Sequence, residues 1–189
     1  MPITNEQELV LAVAQAGSLL QQIQDYAGQQ FTPFAQVRFP RGYIRTAEQA
    51  RDQFPFLPAS AFKSNVSYAM MLCDVQKWLL SRTDLFGTAK EMVVKIQIFM
   101  LGTVAESITK VHLRGQCGGN YKNRTQFLVD RRLIEEELKV ELDWLWDMRN
   151  LMHLFQVEEH EWLSKDYSTE NYQRAARALQ GLAEALNGV

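Results

Sequence analysis

Apolar residues in this chain recur at steps of three and four almost from end to end, and no stretch shows the sustained alternation of a half-buried strand. That one pattern confines the 189 residues to an all-α fold. Leu9, Val13, Ala16, Leu20 and Ile23 mark a first helix, opened by a Thr4-Asn5-Glu6-Gln7 capping box and ending near Gly28. Thr46–Gln49 and Thr88–Glu91 repeat the box form. The first opens a short helix that "FPFLP" at 54–58 ends; the second opens a long one from about Ala89 to His112. Between them, Val66, Ala69, Met70, Cys73, Lys77 and Leu80 follow one face of a helix over 59–81. The 89–112 helix is apolar on several sides, as expected of the central member of a bundle.

Two stretches break the pattern. Pro33 and Pro40 in "QQFTPFAQVRFPRGYIR" discourage a helix over 29–45, leaving a short strand or an irregular connection. "RGQCGGNYKNRTQF" at 114–127 reads as the longest loop, with Asp130 as N-cap of a helix reaching Phe155. A last helix runs from Thr169 to Leu186. The expected architecture is an up-and-down helical bundle over 56–189 with an N-terminal helical and irregular extension over 1–55, the whole forming one compact domain.

Composition narrows the function classes. A net charge of −2 argues against a generally basic nucleic-acid coat protein, though not against a local basic patch. Cys73 and Cys117 belong to no CxxC pair and read as free thiols, with a single disulfide as the alternative. No Glu-x-x-His pair precedes any of the three histidines, so a di-metal bundle, and any other metal or cofactor, is not expected. The glycines of 114–127 lack a preceding strand and a following GK[ST], which excludes a phosphate-binding loop of that type. The opening residues lack a basic start and a long apolar run, and the apolar stretch at 92–105 is too short to span a bilayer. A cytoplasmic protein without a membrane partner is therefore expected.

The basic residues gather in two groups. Arg114, Lys122, Arg124, Arg131 and Arg132 form one; Arg38, Arg41, Arg45 and Arg51 form the other. Such runs are either solvated surface or phosphate contacts, with Tyr43 and Tyr121 placed to stack on unpaired bases. Trp144 and Trp146 lie on opposite flanks of one helix, so at least one is available to a partner chain.

The sharpest feature is "DMRNLMHLF" at 147–155. Ile134, Leu138, Leu142, Leu145, Met148 and Met152 form an apolar stripe, and Arg149 falls about 40° from Leu145, inside that arc. A guanidinium there must meet a carboxylate, reach out to water or meet an anion. His153, one turn on, faces the same way. A neutral imidazole can take the proton of a ribose 2′-OH, and an arginine can stabilise the phosphoryl oxygens, so the pair suits RNA cleavage without metal. Equally, Arg149 can bridge to a neighbouring helix with His153 at the edge of the core.

The segment from "LDWLWDMRNLMHLFQVEEHEW" through "DYSTENYQRAARALQGLAEAL", preceded by "EMVVKIQIFMLGTVAESITKVHL", resembles HEPN domains over roughly 60–187. The resemblance implies a helical bundle and a metal-independent endoribonuclease of a toxin–antitoxin or defence-type system, or a relative that only binds RNA. It implies a homodimer with a composite site, and possible contact with an antitoxin or other protein partner. Arg149 and His153 match the catalytic pair and Asn150 the polar residue after the arginine. Lys122, Arg124, Arg131 and Arg132 become the expected RNA-backbone contacts. Three residues separate Arg149 from His153, where the family motif usually has four to six. The alternative is a non-enzymatic helical protein-interaction module.

Overall fold

The computed structural model describes residues 2–151 and 165–188. It is all-α, with no strand among the described residues. Among the described residues seven α-helices follow in order: α1 (Glu6–Ala27), α2 (Ala47–Arg51), α3 (Ala61–Arg82), α4 (Gly87–His112), α5 (Tyr121–Asp130), α6 (Glu136–Asn150) and α7 (Thr169–Asn187). The chain divides into two compact units, 1–41 and 42–189. Residues 42–55, read from the sequence as part of the extension, thus belong with the bundle.

In the first unit, α1 is capped by Asn5, whose side chain accepts the Glu8 amide. The cap sits one residue beyond the expected Thr4, because Thr4 instead donates its own N–H and Oγ1–H to the Glu8 carboxylate. Around Pro33 the chain makes a single 3₁₀ turn over Pro33–Ala35 rather than a strand.

The second unit is built around α4. Val94, Ile98, Leu101, Val104, Ala105 and Ile108 are all buried, and α4 packs against α3, α5, α6 and α7. Each fully enclosed Val, Leu or Ile side chain among them contributes about 1.5–3 kcal/mol. By length and composition α4 is long enough to cross a bilayer, but 56% of its apolar window is buried inside the bundle. α7 presents Ala175, Ala178, Leu179, Leu182 and Leu186 to the core, a clean stripe at steps of three and four. "FPFLP" does more than end α2: Phe54 and Leu57 are both core residues.

Local chemistry decides the helix ends. Thr46 and Gln49 form the expected capping box at α2. Thr88 and Glu91 do not; α4 starts at Gly87 after Phe86 with no side-chain cap. The expected loop at 114–127 is partly helix, because Asn120 accepts the Lys122 amide and opens α5. Asp130 is therefore the last residue of α5 and not an N-cap. α5 closes through Leu133 N–H to Leu128 O at 2.9 Å and Arg132 N–H to Val129 O at 2.7 Å. This is the two-bond stop that normally takes glycine at the position held here by Arg132, at φ 56°. α6 then begins after Glu135.

Arg45 ties the start of the bundle to α3. Its Nε and Nη2 donate to the two Asp74 carboxylate oxygens at 2.8 and 2.6 Å, and its backbone N–H adds a third bond at 3.0 Å. Asp74 is buried, and its hydrogen bond and charge hold the arginine pKa above the ordinary value. Asp74→Asn should lower stability by about 2–3 kcal/mol, read as a shift in denaturant midpoint, because it leaves a half-buried guanidinium without its counter-charge.

His112, at the end of α4, meets the Phe56 ring edge-on at 5.5 Å. Burial pushes its pKa below the ordinary 6.5. The unfolded chain thus binds the proton more tightly, so His112 stabilises the fold above that value and loses this contribution as pH falls below it. His112→Gln should flatten the decline in melting temperature between roughly pH 7 and 5.

Candidate functional site

Arg149 sits on the last turn of α6, against the middle of α4. The approach is close because residue 102 is glycine: a Cβ there would lie 2.8 Å from Arg149 Cβ and 3.1 Å from Leu145 O. The guanidinium reaches back over α4. Its Nη2 pairs with Glu106 Oε2 at 3.1 Å, its Nη1 donates to Asn150 Oδ1 at 2.9 Å, and it lies 5.8 Å from the centre of the Phe99 ring. The Nε–H is enclosed and has no partner among the described residues. The side chain remains 31% exposed. Of the three fates open to it from the sequence, the structure selects a carboxylate on the neighbouring helix.

Glu106 is the residue that sequence reasoning missed. The available signal was that it is the lone acid in the apolar second half of α4. Asn150 ends α6, and Leu151 is its C-cap. His153 lies outside the described residues, as do Met152, His160 and Trp162. The expectation that one helix carries Arg149 and His153 through to Phe155 extends beyond them too.

Beside this cluster, Tyr121 stacks on Trp146 with ring centres 5.7 Å apart and planes 6° from parallel. Tyr121 is buried, and burial pushes its phenol pKa well up. It is therefore not available to stack on a base. Lys122 pairs with Asp147 at 2.8 Å and lies 5.7 Å from the Trp146 ring. Arg124 is only 4% exposed; its Nε donates to Thr109 Oγ1 and its Nη1 to Gly119 O. It holds the loop before α5 onto α4 instead of facing solvent. Arg131 and Arg132 are exposed at the far end of α5, with Arg131 over the Phe127 ring at 5.1 Å.

The second basic group is divided as well. Arg45 is committed to Asp74, and Tyr43 shares a hydrogen bond with Ser81 at 3.2 Å. Trp144 lies under the Arg174 guanidinium at 4.0 Å, while that guanidinium also pairs with Glu141. Both tryptophans of α6 are thus engaged within the chain.

Cys73 and Cys117 are free thiols. Burial pushes Cys73 up to about 12. It lines a cavity of about 540 Å³ with Arg45, Asp74, Gln97, Leu101 and Tyr172, between α3, α4 and α7. Arg149 does not line that cavity. No group of three or more His, Cys, Asp or Glu side chains able to hold a metal occurs among the described residues.

No family model, curated protein or solved structure matches this chain. The geometry of its own residues is what bears on function.

Gly102 sets the position of Arg149. Gly102→Ala should destabilise the bundle by about 1–3 kcal/mol, because α4 and α6 must move apart to admit the methyl group. Denaturant titration measures the loss, and a matching perturbation of the Arg149 Nε–H resonance locates it.

Proposed function

We propose that this chain is an RNA-directed protein of HEPN type that cleaves RNA without metal, using Arg149, Asn150 and His153. The observation that carries this reading is the clamped guanidinium of Arg149. Glu106 and Asn150 fix its orientation at the end of α6, a third of the side chain faces water, and Nη1 and Nη2 each keep a second N–H to offer. A pre-oriented fork of this kind suits the non-bridging oxygens of a phosphodiester.

In the reaction, the neutral His153 imidazole takes the 2′-OH proton and the 2′ oxygen bonds to the adjacent phosphorus. Arg149 stabilises the charge on the phosphoryl oxygens. The bond to the 5′ oxygen breaks, and an imidazolium returns a proton to that leaving group. Two copies supply the two imidazoles, so the active form is a homodimer. Of the four basic residues expected at the RNA backbone, Arg131 and Arg132 face outward and can meet it; Lys122 can do so by releasing Asp147. An antitoxin or another protein partner would act by covering this surface.

A second reading has its own support. Glu106 already balances Arg149, and Arg124 is spent on holding the fold. That internal use of charge suits a non-enzymatic helical interaction module.

The two readings separate on mixed single-stranded and transfer RNAs incubated in EDTA. Cleavage leaving 2′,3′-cyclic phosphate ends, lost by roughly 10²-fold or more in His153→Ala and Arg149→Ala, is the expected result. Glu106→Gln should then tighten RNA binding, since it removes a carboxylate that repels phosphate. No cleavage and no RNA binding, with Arg149→Ala and Glu106→Gln changing only stability, would establish the interaction module instead.

A further inference from the structure

α1 buries none of its residues, although most helices draw their stability from packing. Its apolar residues are not scattered. Leu9, Val13, Ala16, Leu20, Ile23 and Ala27 follow one another at steps of four, three, four, three and four. This 3.5-residue period runs along about 27 Å of helix. It is the period of a two-stranded coiled coil, which supercoils to keep such a seam facing its partner. Leu9, Val13 and Leu20 stand 48%, 63% and 50% exposed.

Charge and size indicate what covers the seam. The positions flanking it, Val10, Ala12, Gly17, Leu19, Gln24 and Tyr26, carry no charge, so an identical helix meets no repulsion there. α1 holds three acids (Glu6, Glu8 and Asp25) and no base, the reverse of a helix made for an anionic membrane surface. We infer that α1 pairs with α1 of a second copy of this chain, running antiparallel.

The antiparallel register matches every layer. Leu9 meets the partner's Ala27, Val13 meets the partner's Ile23, and Ala16 meets the partner's Leu20, each pair repeated by symmetry. Large faces small in four of these six layers, so they fill evenly. A parallel pair would stack Ala16 on its own copy, leaving a gap, and would set Glu6 against the partner's Glu6 on the seam. Antiparallel pairing places Glu6 beyond the end of the partner helix and opposes the two helix dipoles.

Gly17 fits the same arrangement. A mid-helix glycine is costly relative to alanine, yet a Cβ at Gly17 would meet nothing within 4 Å in its own chain. In the pair it faces the partner's Gly17 near the two-fold axis, where a missing side chain lets the backbones approach. This inference is drawn from α1 alone, and it makes the α1 pair the contact that holds the dimer the RNA reading requires. That reading can fail, with no cleavage by the parent, while the pairing stands, and a dimer held elsewhere would overturn the pairing while leaving that reading intact.

Sedimentation velocity on the full chain, from low to high micromolar concentration, tests it. The parent should dimerise. Leu20→Glu should remain monomeric with an unchanged bundle melting temperature, since α1 contributes nothing to that core. Val13→Lys and Ile23→Glu should each be monomeric alone and dimeric when mixed, because only the antiparallel register sets the lysine against the glutamate. A parent that stays monomeric, a dimer that survives Leu20→Glu, or a mixture that fails to pair would each overturn the inference. So would a monomeric parent that floats with phosphatidylcholine vesicles, which would assign the seam to a lipid surface.

Discussion

The enclosure of α4 is the constraint on which the bundle depends. Four helices cover it, so nearly every turn must supply an apolar or small side chain. The polar groups it carries inward must then be answered locally. Gln97 donates to the Cys73 carbonyl of α3, and Thr109 turns its hydroxyl back onto its own helix while accepting from Arg124. Gly102 lets α6 come within direct contact of the α4 backbone, and that approach puts Arg149 beside Glu106. A site at the end of α6 is in this sense a product of packing on α4.

Charge in this fold is largely spent on cohesion. Arg45–Asp74, Arg174–Glu141 and Arg149–Glu106 each join elements far apart in sequence, and all three place the arginine over an aromatic ring or against a buried acid. Partly buried pairs like these cost desolvation on formation and much more if one member is lost. They fix which helix faces meet. The consequence for function is that a run of basic residues in the sequence overstates the free positive surface. Lys122 and Arg124 are engaged, and Arg131 and Arg132 remain outward.

Much of this was legible in residue order. The 3.6-residue period located α3, α4 and α7 to within a few residues, because apolar spacing and N-cap residues are local signals. The α5–α6 boundary was not legible in the same way. Asn120 and the left-handed Arg132 begin and end a helix in a stretch whose glycines resemble a loop, and Arg132 holds a conformation that ordinary propensity assigns to glycine. Thr88 and Glu91 have the form of a capping box without the geometry, because the chain enters α4 through Phe86 and Gly87.

The sequence by itself determined an all-helical chain, a central apolar helix and an arginine aimed into an apolar arc, since these follow from periodicity along one strand of residues. Only the tertiary structure decided that the arginine meets Glu106, that Tyr121 is covered by Trp146, and that Arg124 is buried. Those outcomes depend on which faces of separate helices touch, and side-chain spacing within a helix carries no record of its neighbour.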